Sequence, residues 1–266
     1  MVESGAATVV PIVDAEGSFA TFRDVFPGAS PALEQATRAA APEAFDGERW
    51  MLPFHCFLVE TSNARVLVDT GVGPRGGDFL PDAQERLRDA VDPESIDVVV
   101  FTHLHVDHIG WNAVAGEPYF PRARYLTNER DWTWFVARDD RRHLNDAQLR
   151  PLERAGVIEF VREGQAVPGV RVMPTPGHTP GHSSVVVDEK LVLLGDVVVH
   201  PAQLLDPSVQ YVSDADHERA RATRVETLQW LADEELLVGV PHFFGGVGRI
   251  RREGASFRFA AGTAQS

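Results

Sequence analysis

Cysteine is nearly absent: Cys56 is the only one among 266 residues. No intrachain disulfide can form, which points to a reducing compartment. Long apolar runs are missing too. The longest, such as Leu191 to Leu194 and Val197 to Val199, fall far short of the roughly 18 residues a membrane span requires. No cationic stretch leads into an apolar one near the start, where Met1 and Glu3 stand, so no secretory leader is read and a cytoplasmic protein is expected. Positive charge is scarce, with 25 basic residues against 39 acidic and a formal charge of −14. That field repels phosphate backbones, and no Lys/Arg run offsets it, since Arg141 and Arg142 adjoin Asp139 and Asp140. Nucleic acid and membranes are therefore not expected as partners.

What is present is the balance of a globular chain, 44% apolar and 24% charged. Thr8 to Phe22 reads as a strand pair around a Glu16–Gly17 turn, and Leu33 to Ala40 as a short helix in a surface or capping segment over 27–49. Phe54 to Glu60 and Arg65 to Asp69 form a hairpin about Ser62–Asn63, closed by the turn Asp69-Thr70-Gly71. Pro81 to Val91, Asn128 to Ala137, Asp146 to Ala155 and Asp216 to Asp233 have helical patterning, the last with Ala220, Thr223, Thr227, Leu228 and Leu231 on one side. Ile96 to Phe101, Val157 to Val161, Val170 to Met173, Ser184 to Val187, Leu191 to Leu194 and Leu236 to Val240 read as strands, and Ile250 to Phe259 as a sheet edge. No repeat of 20–50 residues is visible. Two sheet layers with helices outside fit this order.

The chemistry is concentrated after the Ile96–Phe101 strand, in Thr102-His103-Leu104-His105-Val106-Asp107-His108. Residues two apart on extended chain point the same way, so His103 and His105 can converge, while Asp107 and His108 face a second point nearby. Imidazoles with a carboxylate suit Zn²⁺ and related transition metals. Surface histidines satisfied by water are the bland alternative. Four candidate ligands within six residues, directly after a buried strand, argue against it.

His-x-His-x-Asp-His in this setting resembles the metallo-β-lactamase superfamily. Pro176-Gly177-His178-Thr179-Pro180-Gly181-His182, Leu194-Gly195-Asp196, Val240-Pro241-His242 and Asp69-Thr70-Gly71 are similar to its later and earlier motifs. The resemblance implies an α+β fold, the αβ/βα sandwich of two mixed sheets packed face to face with helices outside, as a single domain over 1–266. It implies two Zn²⁺ ions, with Fe, Mn or Co as alternatives. His103, His105 and His178 would hold one, Asp107, His108 and His242 the other, and Asp196 would bridge the pair at about 3.5–4 Å. His182 and Asp69 are expected to support the ligands rather than bind metal, His55 to be a core or rim residue, and Cys56 a small buried apolar one.

The branch resembled most is that of the quorum-quenching lactonases and methyl parathion hydrolase, through His200-Pro201-Ala202-Gln203 and Asp206-Pro207. The implied activity is hydrolysis of a lactone or ester-like carbonyl by a bridging hydroxide, with phosphotriester turnover as a side activity and Asp107 delivering a proton to the leaving group. Many lactonases carry a Tyr three residues after the bridging Asp; Val199 stands there, and His200 beside it is a catalytic candidate or a capping histidine. Thioesterase chemistry of the glyoxalase II type, an iron-dependent oxidoreductase on the same ligands, and a non-catalytic metal-binding module remain as alternatives. Arg249, Arg251 and Arg252 match no pattern for an anionic substrate. A neutral or weakly charged small molecule is expected, in a pocket walled foremost by Phe243, Phe244 and Trp111, with Trp50, Met51, Phe54, Trp132 and Trp134 as further candidates. The apolar segment Phe19 to Phe26 would pack on its own core or on a second copy in a homodimer.

Overall fold

The computed structural model describes residues 1–74, 86–138, 140 and 142–262. One sheet is built from β1 (Val2–Ser4), β2 (Ala7–Thr21), β3 (Phe45–Asp46), β4 (Arg49–Glu60), β5 (Arg65–Val68) and β6 (Val98–Val100), then, past the small hairpin of β7 (Ala113–Val114) and β8 (Glu117–Pro118), from β9 (Arg124–Thr127) and β10 (Ile158–Phe160). Its order is β1-β2-β4-β5-β6-β9-β10, with β3 beside β4. It is mixed: the β2–β4–β5 part is antiparallel, and β5, β6, β9 and β10 run parallel. The second sheet takes its strands in chain order: β11 (Gly164–Val167), β12 (Val170–Pro174), β13 (Ser183–Val187), β14 (Leu191–Leu193), β15 (Leu237–Gly239), β16 (Val247–Glu253) and β17 (Ser256–Ala261). Only its β14–β15 pair is parallel. The helices are α1 (Phe22–Val25), α2 (Pro31–Ala40), α3 (Arg86–Ala90), α4 (Glu129–Val136), α5 (Arg142–Leu144), α6 (Arg150–Ala155), α7 (Ala202–Leu205) and α8 (His217–Asp233).

Strand alternation explains the layering. Side chains along a strand point to opposite faces, so Val98 and Val100 of β6 join Val185, Val187, Leu191 and Leu193 in a core between the sheets. The residues between them face outward. Val99 packs with Leu87, Trp132, Phe135 and Leu152 on one side, and Val186 and Val192 with Leu228 and Leu231 of α8 on the other. These strands are buried on both faces, which is why they read as unbroken apolar runs. The helical, strand, strand, helical layers are the expected αβ/βα sandwich.

Two expectations change. Thr8 to Phe22 is not a strand pair: β2 runs through Glu16–Gly17, which pair with Pro53 and Leu52 of β4. The turn signal falls beside a register shift between Val13 and Ala15, a bulge that bends the strand without reversing it. Ile250 to Phe259 contains a full hairpin, β16–β17, whose outer strand is the sheet edge. Of the helix expected over 81–91, positions 81–85 lie outside the described residues, and α3 occupies most of the remainder.

The bulge carries Asp14, a buried carboxylate that no sequence motif marks. It accepts hydrogen bonds from the backbone N–H of Val72 (2.9 Å), Gly73 (3.1 Å) and Leu87 (3.1 Å) and from the Trp111 indole (3.0 Å). Burial raises its pKa against the pull of those four donors. Asp14 thus ties β2 to the turn after β5 and to the segment that follows the histidine cluster. There Gly110 lies so close to the backbone of Val72–Gly73 that a Cβ would collide with main chain. Asp14→Ala orphans four buried donors, and urea unfolding is expected to show a loss of about 3 kcal/mol or more; a loss below about 1 kcal/mol would mean that the hub is dispensable.

Candidate metal centre

The site forms where strands of both sheets end. His103, His105, Asp107 and His108 follow β6, and Asp69 comes directly after β5. From the second sheet come His178, in the connection between β12 and β13, Asp196 just after β14 and His242 after β15. The ligand atoms gather in two groups, His103, His105, His178 and Asp196 in one and Asp107, His108 and His242 in the other, each within 4.8 Å. In the first, His105 Nδ1 lies 3.0 Å from His103 Nε2 and 2.9 Å from His178 Nε2. Asp196 Oδ2 lies 3.3 Å from His178 Nε2 and 3.7 Å from His103 Nε2. In the second, Asp196 Oδ1 lies 3.4 Å from His108 Nε2 and 3.2 Å from His242 Nε2, each of which is 3.6 Å from Asp107 Oδ2. The two oxygens of Asp196 therefore face different groups.

Four imidazoles are set by what their outer nitrogens touch. His178 Nδ1–H donates to Asp214 (3.0 Å), His108 Nδ1–H to Asp69 (2.7 Å) and His242 Nδ1–H to the Pro53 carbonyl (3.1 Å). Thr102 Oγ1 donates to Asp69 at 2.7 Å, so it accepts from His103 Nδ1–H at 3.0 Å. In the neutral rings each Nε2 is then a lone pair aimed inward. Buried lone pairs this close repel one another unless a proton or a cation lies between them. His108 Nε2 and Asp196 Oδ1 indeed have no hydrogen-bond partner. Ligands at 2.0–2.1 Å from a tetrahedral ion lie about 3.3 Å apart, close to most of these separations. Without a metal, burial pulls His103 well down, whereas at His108 the carboxylates of Asp196, Asp69 and Asp107, and at His242 those of Asp196 and Asp107, outweigh burial and raise the pKa, so the same negative field that favours a proton there favours a cation. The donor set fits two divalent ions.

Backbone geometry supports this. Asp69 sits at φ 59° and also accepts from the Thr102 N–H at 2.8 Å. His182 donates from Nδ1 to the Thr175 carbonyl (3.0 Å) and accepts at Nε2 from the Asp196 N–H (2.9 Å), so it positions the central carboxylate. Gly195 sits at φ +56°, and a Cβ there would stand 2.7 Å from His182 Nε2. Behind His178, Asp214 pairs with the buried Arg224 at 3.1 Å, which also donates to the carbonyls of Val197, Pro207 and Val209.

A cavity of about 400 Å³ opens onto Asp107, Asp196, His105, His178 and His242. Its apolar walls are Phe19, Trp50, Leu52, Phe54 and Val106, with Tyr211 and Ser213 completing it. Trp50 and Phe54 are among the wider sequence candidates. The three foremost ones are elsewhere. Trp111 is held inward by its bond to Asp14, and Phe243 packs on Phe259 at 5.3 Å. Phe243 and Phe244 line a separate groove on the other side of His242. Trp132 is core and Trp134 half-buried, while Met51 is half-buried and lines neither. His200 does not reach the cavity. It is fully buried, accepts from the Ala202 N–H at 3.1 Å, and is enclosed by the rings of Phe22, Phe26, Phe45 and Trp50 at 5.3–5.4 Å. Tyr211, stacked on His178 at 5.9 Å, is absent from the sequence candidates; no spacing rule ties it to the motifs. Arg249, Arg251 and Arg252 are engaged with Glu235 and Asp233. Cys56 and His55 are buried as expected, His55 against the Pro241 carbonyl at 2.8 Å.

The sequence profile of the metallo-beta-lactamase superfamily matches residues 52–232, and the chain belongs to that superfamily. An N-acyl homoserine lactonase of a Bacillus species is 32% identical over 162 residues, 53% of this chain and 61% of that protein. The chain thus spans about three fifths of that relative's length. Among solved structures, the hydrolase AbOPH of the beta-lactamase superfamily superposes with a TM-score of 0.85 at 21% identity, covering 100% of this chain and 97% of the other. AidC, a dizinc quorum-quenching lactonase, does so with the same score and coverage at 18% identity. At these identities the structures establish the fold. No helix among the described residues is long and apolar enough to cross a membrane.

Burial drives the His200 pKa down to about 3. The native ring stays neutral while the unfolded one protonates below about 6.5. Stability is then undiminished above that pH and falls as pH drops toward about 3. Denaturant unfolding at pH 7 and pH 5 is expected to show His200→Phe losing about 2 kcal/mol less than the wild-type chain over that interval. Equal losses would contradict a buried, neutral His200.

Proposed function

We propose that the chain is a dinuclear-metal hydrolase of lactones or related esters, acting as one unit, with zinc as the working metal. The observation that carries this reading is Asp196, whose two oxygens face the two ligand groups. When bound, two divalent ions supply a water that loses its proton near neutral pH and a Lewis acid for the carbonyl. The chain's own residues do the rest. Phe19, Trp50, Leu52 and Phe54 bury the apolar part of the substrate and exclude bulk water. Asp107 opens into the cavity with its side chain 20% exposed. Its carboxylate can take the proton from the attacking water and return it to the alkoxide as the acyl C–O bond breaks. Tyr211 supplies a hydroxyl where Val199 cannot. Burial pushes its phenol well above the usual range, so it stays a donor at working pH toward Ser213 or a substrate oxygen.

The similarity to N-acyl homoserine lactonases supports lactones as the first substrates to try, and the phosphotriester side activity stays within the same proposal. Zinc-loaded protein assayed on an acyl homoserine lactone, a simple γ-lactone, an aryl ester and a phosphotriester is expected to turn over at least one. Chelation abolishes that turnover, and Asp107→Asn lowers kcat by about 100-fold or more. Metal-replete protein inert on the whole panel would refute the reading.

A further inference from the structure

A second cavity, of about 740 Å³, adjoins the first and shares His105 and Ser213 with it. Its lining is different in kind. Arg130 from the first turn of α4, Arg138 just past that helix and Arg219 from the first turn of α8 all face it. Two carboxylates also line it, and both are engaged. Asp214 is buried between His178 and Arg224, and Asp216 caps α8 by accepting from the Arg219 N–H at 2.9 Å. Arg138 pairs with Asp140 at 2.7 Å and lies over the Trp134 ring at 4.7 Å. Arg130 and Arg219 make no ion pair among the described residues. Two guanidinium groups with no ion pair among the described residues therefore share a cavity with the His105 imidazole, in a chain whose formal charge is −14.

Guanidinium presents a planar fork of donors that matches a carboxylate, and a concave site holds such a contact better than open surface does. We infer that the substrate carries a carboxylate, which docks between Arg130 and Arg219 while its ester or lactone carbonyl reaches the histidine–aspartate cluster past His105. The inference rests on the hydrolase reading and narrows it. The apolar cavity takes the neutral part of the molecule, and the arginine-lined one takes the charged end.

Two aryl esters of equal acyl length test this, p-nitrophenyl pentanoate and mono-p-nitrophenyl glutarate, each corrected for its uncatalysed hydrolysis, with zinc-loaded protein at low salt. The glutarate ester is expected to have the higher kcat/KM by about tenfold, through KM, as for a partly screened charge-assisted contact. High salt shrinks that ratio, and the doubly substituted R130A/R219A protein brings it close to one. Both side chains are exposed, so the fold tolerates the change. An equal rate on the two esters, or a preference that survives in R130A/R219A, overturns the proposal. Calorimetry with glutaric acid mono-p-nitroanilide, an amide that resists hydrolysis, separates the two readings. If neither ester is cleaved but the anilide binds about tenfold more weakly to R130A/R219A, the carboxylate site stands and the hydrolase reading falls. If esters are cleaved without charge preference and anilide binding ignores both arginines, the carboxylate site falls and the hydrolase reading stands.

Discussion

The arrangement depends on one constraint: the outer nitrogen of each of four imidazoles is committed to an acceptor, so in the neutral ring the inner nitrogen is a lone pair turned toward the site. His178 is held by Asp214, His108 by Asp69, His242 by the Pro53 carbonyl and His103 by Thr102. Left alone, these inward lone pairs and the carboxylates of Asp107 and Asp196 would make a buried site of like polarity, which proteins avoid unless it is compensated. Cations would compensate it. Asp196 then follows as the centre of the site, since it alone faces both groups, and His182 and Gly195 shape the turn that presents it.

The fold serves that constraint by bringing strand ends together. Both sheets bury both faces, which leaves their backbones rigid and their connections free to carry chemistry. The candidate ligands come from residues as far apart as His103 and His242, but each sits within a few positions of a strand or in a short connection between two. Asp69 and Asp14 hold the first sheet's loops in register, and Arg224 does the same for the loop that carries Tyr211, Ser213 and Asp214.

Much of this is legible in the sequence where chemistry is written in consecutive residues. His103 to His108 is compact enough to be read directly, and the other three candidate ligands follow from the resemblance to a superfamily whose sequence profile matches residues 52–232. The sandwich is legible because doubly buried strands leave unbroken apolar runs such as Val98–Val100 and Ser183–Val187. What is not legible depends on where side chains turn in space. Trp111 and Phe243 lie three residues and one residue from ligands yet face away, one drawn by Asp14 and the other by Phe259. His200 stands near the turn that carries Asp196 but points into a ring of aromatics. Tyr211 and Asp214 reach the site from a loop whose path is set by Arg224, a contact between residues that carry no motif. The Glu16–Gly17 pair reads as a turn because local propensity cannot register the cross-strand pairing with β4 that overrides it.

The central claim is that two ions lie on either side of the Asp196 carboxylate. Anomalous scattering at the zinc edge, from crystals of zinc-loaded protein, tests it most directly. The account predicts two peaks about 3.5–4 Å apart, one among His103, His105 and His178 and the other among Asp107, His108 and His242. A single peak, peaks away from Asp196, or none at all would contradict it.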